Sequence, residues 1–145
     1  MEELIQQCPE MGGASSINSI RLRVFRFDDR VEVLPSNFHI GRGDSIVDNT
    51  GRGGISAALV EKGVVLIACD SSRKRYETHP DSGEIIIGFQ IPRWEEAVAM
   101  ANRLCQVVPR VRYVGWDLVL TGNGWVVIEG NDKGMFEGIQ MPLQK

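Results

Sequence analysis

Residues 115–131 read GWDLVLTGNGWVVIEGN. Two apolar runs flank a Gly-Asn-Gly turn, the pattern of a β-hairpin. Asp117, Glu129 and Asn131 stand on these strands, where burying a charge is costly unless something pairs with it. The loop decides which residues face one another. A two-residue Asn123-Gly124 turn sets Leu118 opposite Glu129 and parts the acids onto different faces. A three-residue Gly122-Asn123-Gly124 loop sets Thr121 opposite Trp125 and Asp117 opposite Glu129. Glycine at the end of that loop suits its left-handed residue, which favours the second register. Asn131, two residues on, then shares the face of Glu129. Opposed carboxylates repel unless a cation lies between them. An open set of hard oxygen ligands suits Mg²⁺ shared with phosphate oxygens. On spacing alone, two solvated strand-end acids and a turn asparagine stand as an even alternative.

The 145 residues are enough for one domain with a sizeable core, and 43% hydrophobic with 24% charged is a soluble, globular composition. A net charge of -3 offers no basic footprint for nucleic acid or a membrane surface. Three cysteines without a CxxC pair fit a reducing compartment. MEELIQQCPEM is too polar and acidic for a signal peptide, so a cytoplasmic location is expected.

INSIRLRVFRF (17–27) alternates Arg21 and Arg23 with Ile20, Leu22 and Val24, which is strand patterning. Asp28-Asp29-Arg30 turns it into a partner strand, VEVLPS. From His39 to Ile55 a glycine-rich segment predicts a long loop. Two strands follow around Lys62-Gly63, then extended segments around Pro-Asp-Ser-Gly. PRWEEAVAMANRLCQVV (92–108) places Trp94, Ala97, Val98, Ala101, Leu104, Cys105 and Val108 on one helical stripe. Pro92 and Glu95-Glu96 suit its first turn, and Pro109 ends it. The expected class is α+β, a mostly antiparallel sheet covered by helices.

Four motifs then occur in order: INSIRLRVF (17–25), HIGRGDSIVDNTGRGGIS (39–56), HPDSGEIIIGFQIPRWEEA (79–97) and the opening hairpin. Together they resemble the signatures of the sugar-transfer-associated ATP-grasp family over about residues 1–140. The resemblance implies the C-terminal lobe of an ATP-grasp fold. It also implies carboxylate–amine ligase chemistry, with ATP and Mg²⁺ as cofactors and an acyl-phosphate intermediate. Asp117, Glu129 and Asn131 would be the Mg²⁺ ligands, and Arg21 would contact the γ-phosphate. Asp48, Asn49, Gly53 and Gly54 would line the phosphate or acceptor side, where glycines let backbone N–H groups approach oxyanions. Glu2 or Glu3 would lie on the adenine side. The family pattern has threonine at Ser19 and arginine at His39. Arg42 or Arg52 would supply the charge that His39 only partly carries, and Arg42 joins Arg21 as a candidate catalytic group.

Such enzymes clamp the nucleotide between two lobes, and the earlier lobe supplies phosphate-binding lysines. The lysines here are Lys62, Lys74, Lys133 and Lys145, none ahead of the arginine strand. Residues 1–145 are therefore expected to form one partial domain, inactive alone, that associates with itself or with a separate N-terminal lobe. Its partners would be ATP and a small carboxylate or amine substrate, with no nucleic acid and no membrane. A non-catalytic binding or scaffold module built on the same fold is the rival expectation.

Overall fold

The structure, a computed structural model, describes residues 18–41, 54–80, 83–107 and 110–131. Seven strands form one antiparallel sheet: β1 (Ser19–Arg26), β2 (Val31–Val33), β3 (Ser36–Ile40), β4 (Ile55–Val60), β5 (Val64–Cys69), β6 (Tyr113–Thr121) and β7 (Gly124–Asn131). Their order is β5-β4-β3-β1-β6-β7, and β2 also pairs with β1. One α-helix, α1 (Trp94–Val107), is present among the described residues. The expected α+β lobe is borne out.

Alternation in β1 sorts the faces. Ile20, Leu22 and Val24 are fully buried and join Phe38, Ile40, Leu118, Leu120 and Trp125 in the core. Helix α1 closes that side with Ala97, Ala101 and Cys105, each small enough to let the helix approach the sheet. The helix is shorter than expected: Arg93, with φ 54, stands outside it. The Arg93 carbonyl accepts the backbone N–H groups of Glu96 and Ala97 and the Trp125 indole N–H at 2.9 Å. Cys69 and Cys105 are buried, and burial raises both thiol pKa values.

Two expectations need correction. Strand β3 runs to Ile40, so the segment read as a loop from His39 begins later. Pro35 separates β2 from β3 because it has no N–H for the ladder. The Ser36 hydroxyl repairs the gap, accepting the Arg23 N–H at 3.0 Å and donating to the Leu34 carbonyl at 2.9 Å. Thr78 and Ile85, in the extended segments read around Pro-Asp-Ser-Gly, pair in an isolated antiparallel bridge.

The second correction concerns the hairpin. Thr121 pairs with Gly124, so the turn has two residues, Gly122 and Asn123. Neither anticipated loop forms. Carried through unchanged, that register would oppose Asp117 to Ile128. A β-bulge after Leu118–Val127 absorbs Ile128, and Asp117 pairs with Glu129 after all. The predicted pairing is present, produced by the bulge and not by the turn.

Candidate functional site

The face of the sheet opposite α1 is polar. Pairing across the strands sets Asn37, Arg21, Asp117 and Glu129 in one row. The next row brings Arg23, Gly115 and Asn131 together, and on the other side lie Ser19, His39 and Ser56. Side chains two apart on a strand share a face, so these rows form one surface.

Arg21 and Asp117 are its centre. Arg21 Nε donates to Asp117 Oδ1 at 2.8 Å, and Nη2 donates to Oδ2 at 2.8 Å. This is the bidentate geometry in which a planar guanidinium matches a carboxylate. The bond to Asp117 raises the Arg21 pKa above its ordinary value, with Glu129 adding to the field. The Arg21 stem runs alongside Gly115, where a Cβ would rest in ordinary contact with Arg21 Cδ and Cγ at 3.6 Å. The two residues expected to play separate parts, phosphate contact and metal ligand, are thus partners of one another.

Arg23 escaped the sequence reading, although alternation places it on the face of Arg21. It is buried, 1% exposed, and its Nη1 donates to Asn37 Oδ1 at 2.5 Å. Burial lowers its pKa, against an opposing pull from Tyr113. Asn37 in turn contacts His39 and donates to Ser56 Oγ at 3.3 Å. His39 is thereby part of a polar network anchored on a buried cation.

The glycine-rich segment starts from a clamped residue. The Gly41 N–H donates to Asn18 Oδ1 at 2.9 Å, and the Gly41 carbonyl lies 2.8 Å from Nε2 of buried His79. Gly54, expected to line the phosphate side, is buried at the other end of the segment, directly before β4. Glu2, Glu3, Arg42, Asp48, Asn49, Arg52 and Gly53 lie outside the described residues.

Asp117, Glu129 and Asn131 are brought to one face, with Glu129 exposed and Asn131 half-buried. Among the described residues no three His, Cys, Asp or Glu side chains stand close enough to hold a metal. Two carboxylates with an amide nevertheless fit Mg²⁺, which commonly takes one or two protein carboxylates and fills its remaining positions with water and phosphate. Gly130, between the second acid and the amide, has a structural reason. A Cβ there would lie 2.5 Å from the Trp116 ring, which packs directly across the strand pair.

The family model described as sugar-transfer associated ATP-grasp matches residues 1–145. Neither a curated protein nor a solved structure matches the sequence.

Proposed function

The chain belongs to the sugar-transfer associated ATP-grasp family, and we propose that its polar sheet face holds the phosphates of a magnesium-bound ATP. The observation that carries this reading is the row Arg21–Asp117–Glu129, a cation and two acids at adjacent ladder positions. Asp117, Glu129 and Asn131 would hold Mg²⁺, which when bound would neutralise phosphate charge. Arg21 orients Asp117 through Nε and Nη2, leaving Nη1 to meet a phosphate oxygen. Arg23, deeper in the same face, adds a fixed positive charge behind that position.

The chemistry proposed is transfer of the γ-phosphoryl group to a small carboxylate and displacement from the acyl phosphate by an amine. Contacts from a second lobe, with its lysines, would complete the nucleotide site, and the 145-residue chain alone would not turn ATP over. A binding module without catalysis is the second reading. It is favoured by the closure of both Asp117 oxygens on Arg21, which is also the signature of a structural ion pair.

Titration of Mg²⁺ and a non-hydrolysable ATP analogue into wild type, Glu129→Ala and Arg21→Gln tests the proposal by NMR or calorimetry. Binding weakened in both variants supports it. Identical behaviour of wild type and Glu129→Ala removes Glu129 from the site, and ATP turnover by the purified chain overturns the need for a second lobe.

A further inference from the structure

Asn37, fully buried on the polar face, stands between Arg23 and His39. Arg23 Nη1 donates to its Oδ1 at 2.5 Å. A guanidinium has donors and no acceptor, so the amide oxygen has to face Arg23. Turning the amide over would set its NH₂ against the guanidinium, donor against donor. The NH₂ therefore points the other way, where it meets His39 Nε2 and, at 3.3 Å, Ser56 Oγ. An amide NH₂ only donates, so His39 Nε2 is the acceptor. A ring nitrogen that accepts carries no proton, and the proton of the imidazole is then on Nδ1.

From this chain of donors and acceptors we infer that Asn37 is a positioning residue that holds His39 neutral, with its proton on Nδ1. A second proton would enter at Nε2, against the Asn37 NH₂. The charges around the ring also oppose it. Arg21 lies diagonal to His39 across the β1–β3 pair, and its charge is matched by Asp117, while Arg23 is a cation behind Asn37. Ser19 and Ser56, the strand partners of His39, are uncharged. Beyond Ser56 stands Cys69, whose thiol burial keeps protonated.

With Nε2 engaged and Nδ1 protonated, His39 has no lone pair with which to act as a general base. It also adds no charge to the phosphate-binding face. That consequence for the ligand rests on the nucleotide reading, whereas the form of the ring rests on protein contacts alone. His79 supplies the contrast. Its Nε2 lies 2.8 Å from the Gly41 carbonyl, which can only accept, so that nitrogen bears a proton. The two histidines of the chain are thus expected to differ at Nε2.

Long-range proton–nitrogen NMR correlation of the imidazole rings, in the labelled full chain near neutral pH, reads both forms. His39→Gln assigns the signals. His39 is expected to show an unprotonated Nε2 and a protonated Nδ1, and His79 a protonated Nε2. A protonated Nε2 on His39, alone or in an imidazolium, overturns the inference. Asn37→Asp replaces the donor with an acceptor and keeps a partner for Arg23, so His39 Nε2 should gain a proton. An unchanged His39 signal in that variant, with thermal unfolding showing it folded, removes Asn37 from the role. If the variant does not fold, the wild-type spectrum still decides. The Mg²⁺-bound ATP analogue should bind wild type and His39→Gln with the same dependence on salt, and a steeper dependence in wild type counts against a neutral ring. Absence of analogue binding to either overturns the nucleotide reading alone, because the ring spectrum needs no ligand.

Discussion

Arg21 and Asp117, 96 residues apart in the chain, are joined by two hydrogen bonds of 2.8 Å across neighbouring strands. Both side chains are about one-fifth exposed, so the pair is neither a screened surface bridge nor a dry interior one. Removing one partner strands the other in a half-buried setting. Asp117→Asn is expected to cost about 1–2 kcal/mol in urea denaturation, after discounting for solvent. Glu129 is exposed and faces a like charge. Glu129→Gln should therefore change stability by less than about 0.5 kcal/mol. Equal losses in the two variants would contradict this division between a paired acid and a free one.

The bulge at Ile128 yields a sharper test. If Ile128 is the extra residue, deleting it leaves a regular ladder in which Asp117 still faces Glu129. If it is an ordinary strand residue, deletion rotates Glu129 and Asn131 to the opposite face. The deletion variant is expected to fold and to keep Asp117–Glu129 cross-strand NMR contacts. Loss of those contacts would refute the bulge assignment.

Gly130→Ala should destabilise the protein by roughly 1–3 kcal/mol, an overpacking cost, because the Trp116 indole occupies the space. The same displacement would disturb Glu129 and Asn131, so divalent-cation binding should fall with stability. Gly122→Ala, where nothing lies within 4 Å, is the control and should show neither loss through steric contact.

Asp70 contributes to the acid limb of stability. Its carboxylate accepts hydrogen bonds from the Ser72 hydroxyl at 2.6 Å, the Ser72 and Lys74 N–H groups and the Tyr76 hydroxyl. With Ser72 the largest cause, its pKa falls from 3.8 to about 2. A depressed carboxylate pKa stabilises above the unfolded value and is lost as pH falls through the folded one. The contribution, about 2 kcal/mol, is thus full above pH ~4.5 and gone near pH ~1.5. Asp70→Asn should flatten the stability–pH curve in that window, and an unchanged slope would count against the assignment.

Much of this was legible beforehand, for reasons tied to particular residues. The Ala97–Ala101–Cys105 stripe repeats at helical spacing, and Ile20-Leu22-Val24 against Arg21-Arg23 repeats at strand spacing. Strand β3 was hidden because Pro35 precedes it and glycines follow, both loop signals. The bulge was hidden because Trp125-Val126-Val127-Ile128 is apolar at every position, and an unbroken run carries no alternation from which to read register. Arg23 was passed over because alternation shows which face a side chain takes, not whether that face is covered.

Local chemistry, written in order along the chain, determined most of the strands, the helix and the family to which they belong. Only the folded sheet decided that Arg21 grips Asp117, that Ile128 bulges to bring Glu129 alongside, and that Arg23 is sealed from water. Periodicity constrains a residue relative to its chain neighbours, whereas these contacts depend on how separate strands align.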